Sequence, residues 1–326
     1  MEEEKQTNMS KKDANKYMRF LVKEWSTADN EKARLNAFLS LRKLVSQNSY
    51  LMEQTLKIIY LTFVKCWKVY NENNSQSFIV MRNCVTELYS MDTVASYQHA
   101  FVYIRQLAIH VRNAMTSMTE TDIHSVYNWQ FVNCLRLWTY MVCQPALKEA
   151  FKPLVYPLIQ VIDSVINLIP TARFYPLRLH CIDLYIQIIS ATGVFIPVAP
   201  ALLDIIENEK FMEKPSSTAK PPELEYCVRL SKTLLDSRAV QDIIVSKAIA
   251  MLSDYLRLME NNIAFPELAY PIARSLKSYS KKCRVSQWSS ATKALSQKLE
   301  KQIESIVRIR EGISGAPKDL QNPNVK

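Results

Sequence analysis

The sequence predicts an all-α chain, and three observations carry that prediction. Glycine occurs only three times in 326 residues, at Gly193, Gly312 and Gly315. Phosphate-cradling loops and tight primed hairpins both require glycine, so a nucleotide-binding loop and a hairpin-rich β fold are both disfavoured. Apolar residues recur at helical spacing: Phe101, Ile104, Leu107, Ala108 and Val111 form one stripe, and Trp288, Ala291, Leu295, Leu299, Ile303 and Ile306 another. Helical runs of roughly 15 to 25 residues follow one another between short breaks, the size of two-helix solenoid units with a period of about 40 to 47 residues. The expected architecture is an α-solenoid of stacked helix pairs of the HEAT or armadillo kind, since a long chain with short connections builds an extended surface most simply by stacking neighbours. No unit aligns onto the next, and a globular helical array is the alternative.

Taken in order, residues 1–13 lack apolar periodicity and are expected to be a disordered tail, as are 312–326. A single helical-repeat domain is expected over 14–311. Its helices are separated by breaks near Asn48, at Asn71 to Ser77, at Ser117 to Asp122 and at Gln144 to Pro145. Pro170 and Pro176 each lack an N–H and bias the preceding residue away from the helical region, so one helix should end near Ile169 and the next begin around Pro176. Further breaks fall at Gly193 to Pro200 and at Lys214 to Pro222. The last lies within EKPSSTAKPPE, residues 213–223, whose Pro, Ser and Lys content suits a solvated loop that interrupts the array without dividing it.

The stretch from Leu184 to Leu203 is twenty residues without a charge, long enough to span a bilayer. Gln187, Gly193, Pro197 and Pro200 interrupt it, and acidic Asp183 and Asp204 flank it where basic residues would be expected, so it reads as buried helical core. The charged and polar first residues do not resemble a signal peptide. Seven cysteines, Cys66, Cys84, Cys134, Cys143, Cys181, Cys227 and Cys283, form no C-x-x-C pair, and their odd number and scatter suit reduced thiols inside a cell.

Catalytic signals are thin. His99 and His110 stand eleven residues apart on one helix, about 16 Å at a rise of 1.5 Å per residue, too far to share a metal ion. His124 and His180 stand alone. There is no H-E-x-x-H, no G-x-S-x-G and no Walker-type loop, so no catalytic, cofactor-binding or metal-binding residue is assigned. An enzymatic alternative would need His124 or His180 to meet a carboxylate in a deep polar pocket.

Charge says more. The chain holds 41 basic and 31 acidic side chains, a net of +10. Between Pro271 and Arg310 lie ten basic residues, Arg274, Lys277, Lys281, Lys282, Arg284, Lys293, Lys298, Lys301, Arg308 and Arg310, against Glu300 and Glu304, which leaves +8 of the +10 in one stretch. Such a surface attracts polyanions, either RNA or an acidic partner segment; the alternative is a solvated face. Candidate contacts are Arg274, Lys277, Lys281, Lys282, Arg284, Lys293, Lys301 and Arg308. Base-specific reading usually stacks unpaired bases on exposed aromatics, whereas Trp129, Trp138 and Tyr175 sit in apolar patterns that predict burial, so contacts to phosphates suit this chain better.

A second group of candidates is an interface or a structural turn. In IPTARFYPLRLHC, residues 169–181, Arg173 falls in the turn and Arg178 in the first turn of a helix, where a cation opposes the macrodipole and calls for a carboxylate, a carbonyl or a phosphate. Arg173 and Arg178 either clamp carboxylates of adjacent helices or face a partner. On the helix of Tyr97 to Met115, Tyr103, Arg105, His110 and Arg112 are expected to project outside the apolar stripe.

Several segments together resemble the nucleolar complex protein 2 family, the Noc proteins that assemble the large ribosomal subunit. They are YQHAFVYIRQLAIHVRNAM from Tyr97, VYNWQFVNCLRLW from Val126, LVYPLIQVIDSVINLIPTARFYPLRLHC from Leu154 and FPELAYP from Phe265. The resemblance covers most of the chain between about Ala33 and Arg284. Family members usually carry highly charged flanking segments that this sequence lacks. The resemblance implies a non-catalytic scaffold in 60S subunit biogenesis and rRNA processing, in the nucleolus and nucleus, that pairs with another Noc-family protein and holds pre-ribosomal particles and pre-rRNA, without a cofactor, a membrane or a small-molecule substrate. The alternative is a helical adaptor in nuclear transport or chromatin complexes.

Overall fold

A computed structural model describes residues 10–311, and among them the chain is all α-helix and connection, with no β-strand and one isolated bridge between Ser217 and Ser237. The expectation of an all-α chain is met. The backbone divides into two compact units, Met1–Pro170 and Thr171–Lys326.

The first unit holds α1 (Lys11–Thr27), α2 (Glu31–Gln47), α3 (Met52–Cys66), α4 (Glu72–Met91), α5 (Thr93–Ser117), α6 (Glu120–Val126), α7 (Trp129–Val142) and α8 (Lys148–Leu168). Of the expected N-terminal tail, residues 1–9 lie outside the described residues, while Lys11 to Asp13 form the first turn of α1, capped by the Ser10 side chain. Several junctions that carry neither proline nor glycine are made by a single side chain. Asn30, Asn71, Asp92 and Asn128 each accept a hydrogen bond from a backbone N–H of the following first turn, which satisfies donors that the helix itself leaves open. Because Asn71 caps α4, the polar residues 72–77, expected to be a break, are helical.

Helices α1 and α2 pack as a hairpin, α3 lies against α1 and α4, and α5 lies against α8, α6 and α3. The buried Arg34 guanidinium closes the first hairpin by donating to the carbonyls of Trp25 at 2.7 Å and Ala28 at 3.0 Å. The core is aromatic. Tyr60 stands 5.1 Å from Trp138 between ring centroids, Tyr89 meets Trp138 edge-on at 5.8 Å, and Phe78 sits 5.6 Å from Phe63 and 5.1 Å from Trp67. Such pairs add about 0.5–1.5 kcal/mol each beyond the area they bury.

The second unit holds α9 (Tyr175–Thr192), α10 (Ala199–Ile206), α11 (Lys232–Leu235), α12 (Arg238–Met259), α13 (Phe265–Lys282) and α14 (Ser286–Glu311). Helix α8 ends at Leu168 and α9 begins at Tyr175 with Pro176 in its first turn, as the two prolines predict. The uncharged stretch is broken where Gly193 ends α9 in the left-handed region at φ 72°, and no helix among the described residues is long and apolar enough to cross a membrane. Helix α12 packs against α9, α10 and α14, and α13 and α14 form a long antiparallel hairpin.

The segment at 213–223 is a loop of exposed and half-exposed residues, as its composition predicts, and it is held at several points by hydrogen bonds. Asp236 accepts at its carbonyl from the N–H groups of Ser216 and Ser217, each at 3.2 Å, and the Ser237 hydroxyl donates to the Ala219 carbonyl at 2.7 Å. Arg238 donates to the carbonyls of Phe211 at 2.7 Å and Glu213 at 3.0 Å. The loop is therefore strapped across the start of α12, by backbone groups that its composition does not reveal.

Candidate functional site

The basic stretch folds into the α13–α14 hairpin. Its inner faces are apolar: Ile272, Ala273, Leu276 and Tyr279 on α13 meet Trp288, Leu295 and Leu299 on α14, and the Ser296 hydroxyl donates to the Ala273 carbonyl at 3.0 Å. Ile303 and Ile306 are half-buried, and Ala291 is exposed, its expected place on the inner stripe being filled by Thr292. Arg274, Lys277, Lys281, Lys282, Arg284, Lys293, Lys301 and Arg308 are all exposed.

Two basic residues of the stretch are engaged within the hairpin. Lys277 donates to Glu300 at 2.8 Å, which raises its pKa above the usual lysine value. Arg310 grips Glu267 at 2.6 Å and the Ile263 carbonyl, and this guanidinium holds the Glu267 carboxyl below the usual glutamate value. Arg274, Lys281, Lys282, Arg284, Lys293, Lys298, Lys301 and Arg308 form no ion pair with any described residue.

Lys281, Lys282 and Arg284 gather at the hairpin turn. The Ser289 hydroxyl donates to the Ser280 carbonyl at 2.7 Å and fixes the first turn of α14 against the end of α13. That first turn carries no acidic residue. The positive end of the α14 dipole therefore adds to three cations, a combination that favours an anion.

The proline-bearing turn is a different kind of place. Arg178 is buried and donates to Asp204 on α10, with its guanidinium 5.5 Å from the Tyr175 ring. Tyr175 accepts at its hydroxyl from Asn208 at 2.8 Å and meets Phe211 edge-on at 5.9 Å. Arg173 is exposed, and its carbonyl accepts from the Leu230 N–H at 2.8 Å. Arg178 thus fastens α9 to α10, while Arg173 contributes its backbone to the fold and leaves its side chain at the surface.

On α5 the buried residues are Ser96, Ala100, Ile104, Leu107, Val111 and Ala114. Phe101 and Ala108, expected on the inner stripe, are exposed, because the buried face is rotated toward α8 and α3. Tyr103, expected to project outward, is half-buried, with its ring 4.1 Å from Tyr60 and 6.4 Å from Trp138, so it belongs to the aromatic core. Arg105, His110 and Arg112 are exposed.

The sequence reading did not single out two arginines of the first unit. Arg82 lies 3.7 Å above the Tyr140 ring, and Arg136 lies 4.7 Å from the Tyr70 ring and 5.3 Å from Trp129. Burial lowers the pKa of Arg82. The available signal was arginine placed within aromatic-rich helices, where a guanidinium can stack.

His124 is exposed, and His180 Nε2 lies 3.0 Å from the Cys227 carbonyl oxygen. No group of three metal-ligating side chains occurs among the described residues. Burial pushes the thiol of Cys134 up to about 12, and those of Cys84 and Cys143 up to about 11, which suits unreactive packing residues.

Comparison with known proteins gives a consistent answer. A family model described as the Noc2p family matches residues 50–325. The chain is 35% identical over 304 residues to nucleolar complex protein 2 of Drosophila melanogaster, covering 93% of this chain and 39% of that protein. It is 32% identical over 307 residues to nucleolar complex-associated protein 2 of Arabidopsis thaliana, covering 94% of this chain and 40% of the relative. A nucleolar complex protein 2 homologue of Caenorhabditis elegans is 31% identical over 261 residues, 77% of this chain and 36% of the relative. The chain therefore spans about two fifths of the length of these relatives.

Proposed function

The chain belongs to the Noc2p family, and from that premise we propose that it works as a non-catalytic scaffold in ribosome biogenesis, on the pathway to the large (60S) subunit. It is a nucleolar and nuclear protein, in keeping with the names its relatives carry. Its helix hairpins are read as repeats of the HEAT or armadillo kind, whose exposed ridges hold other chains. One partner is another Noc-family protein, and the other is the pre-ribosomal particle with its pre-rRNA.

The observation that carries the RNA part of this reading is the α13–α14 turn, where Lys281, Lys282 and Arg284 are exposed, form no ion pair with any described residue and lie beside the start of α14. Phosphate contacts of this kind bind RNA as a shape, without reading bases. Arg274, Lys293, Lys301 and Arg308 extend the same surface. Arg178 is assigned a structural role through Asp204, and Arg105 and Arg112 remain candidates for a protein interface.

The test is affinity purification of the tagged chain from growing cells, with and without ribonuclease, followed by mass spectrometry and sequencing of bound RNA. The expected result is a Noc-family protein that survives ribonuclease, together with large-subunit precursor RNA. Recovery of transport or chromatin factors in their place would support the adaptor alternative, and recovery of neither set would overturn the scaffold reading for this chain.

A further inference from the structure

Helix α5 carries a second apolar face, and no described residue covers it. Outside the buried stripe of Ser96, Ala100, Ile104, Leu107, Val111 and Ala114, with Val102 and Ile109 directly opposite it, Val94, Phe101, Val102, Ile109 and Met115 are 71%, 47%, 58%, 38% and 50% exposed. Scattered exposed apolar residues are ordinary, but here they recur along one helix face, at spacings of seven or eight residues from Val94 to Val102 and Ile109. From Val94 to Met115 the face runs for about 32 Å at 1.5 Å per residue, the length of a partner helix of roughly 20 residues.

The charge on this face has one sign. Arg105 and Arg112 stand between the apolar side chains, both are exposed, and neither forms an ion pair with any described residue. No Asp or Glu occurs between Asp92 and Glu120. An apolar stripe interleaved with unanswered arginines complements an amphipathic helix whose apolar side is bordered by carboxylates, the mode in which residues at i, i+4 and i+7 lie in a groove and charge fixes the register. RNA would answer the arginines but would leave Phe101, Val102 and Ile109 in water.

We infer that the outward face of α5 is the docking surface for an acidic amphipathic helix of a partner protein. The inference rests on the scaffold reading and narrows it, by assigning the partner contact to α5 and the RNA contact to the α13–α14 turn.

The probe is a synthetic amphipathic helical peptide of about 20 residues, with leucines along one face and glutamates beside them, and a control in which lysines replace the glutamates. By fluorescence anisotropy the acidic peptide should bind and the basic control should not. The pair Phe101→Glu and Ile109→Glu should weaken binding at least tenfold, with helicity by circular dichroism unchanged because both side chains are exposed. Arg105→Glu with Arg112→Glu should weaken it and remove its salt dependence. Equal binding of the two peptides, or binding untouched by either pair of substitutions, overturns the inference. So does a wild-type dimer in sedimentation that the Phe101→Glu, Ile109→Glu variant breaks, since the occupant would then be a second copy. Loss of single-stranded RNA binding in the Arg105→Glu, Arg112→Glu variant, with RNA and peptide binding intact in the Phe101→Glu, Ile109→Glu variant, overturns it in favour of RNA. In cells the two readings fail differently: without a scaffold role the wild-type chain recovers no precursor RNA, whereas without the α5 contact the Phe101→Glu, Ile109→Glu variant recovers the same protein partner as wild type.

Discussion

The guanidinium of Arg178, buried in the first turn of α9, donates to the carboxylate of Asp204 on α10, whose side chain remains 62% exposed. A cation at a helix start works against the macrodipole, and the carboxylate offsets that cost while joining two helices. Asp204→Ala leaves a buried guanidinium without its anion and should destabilise the chain by about 2 kcal/mol in urea unfolding, the scale of a hydrogen bond to a charged group. Arg178→Met, which removes the charge and keeps the volume, should cost less. Equal losses in the two variants would mean that the ion pair matters less than the packing of the arginine stem.

Leu177 precedes that arginine and is 2% exposed. Leu177→Asp would bury an unpaired carboxylate and should unfold the second unit cooperatively, with a loss of at least about 4 kcal/mol. Thermal melting followed at 222 nm is the check, and an unchanged midpoint would contradict the burial of this face.

Reversal of Lys281, Lys282 and Arg284 to glutamate should weaken RNA binding by more than tenfold at moderate salt. It should also lower the slope of log K against log salt by about 2, since each contact to a single strand contributes about 0.7. Helicity should be unchanged, because all three side chains are exposed. An RNA affinity with the same salt slope would mark the turn as a solvated surface and nothing more.

The Glu267 carboxyl is held below its ordinary value by Arg310. A depressed folded-state pKa contributes stability that is present above the unfolded value, about 4.3, and is lost as pH falls through the lowered folded value. Wild type should therefore exceed Glu267→Gln in thermal midpoint by a small margin near neutrality, small because the pair is largely solvated, and the margin should close on acidification below pH 4. A margin that stays constant across this range would show that the pair does not titrate with folding.

Tyr103 offers a test of placement. Its ring is packed against Tyr60, so Tyr103→Ala should destabilise the first unit by about 2–3 kcal/mol, while Arg105→Ala on the exposed side should stay within about 0.5 kcal/mol. Guanidinium unfolding of both variants separates a packing residue from a surface one.

Much of this fold was legible in the sequence because its strongest signals are local. Scarcity of glycine and helical apolar spacing yield the all-α chain, and Pro170 and Pro176 mark the α8–α9 junction within a residue or two. The junctions formed by Asn30, Asp92 and Asn128 carry no proline or glycine to mark them, although Asx residues before apolar runs are cap signals. Tyr103 and Phe101 exchange places relative to the expectation because α5 has apolar residues on both sides, and periodicity alone does not say which side the neighbouring helices cover. The exposed cations of the basic stretch could be counted in advance. That Lys277 and Arg310 answer Glu300 and Glu267 could not, since those pairs depend on how α13 and α14 align.

The strap over 213–223 gives this segment an unequal tolerance to change of length. Arg238, Asp236 and Ser237 hold its first part through the backbone groups of Phe211, Glu213, Ser216, Ser217 and Ala219, and further on the Leu230 N–H is held by the Arg173 carbonyl. Residues 220–229 span the gap between these two fixed points. Extra residues there lengthen a loop whose ends are already anchored, at a cost that grows only as a logarithm, about 0.6 kcal/mol for each doubling. Residues removed there would pull either anchor from its partner and break its hydrogen bonds. Insertions in this segment should therefore be tolerated better than deletions.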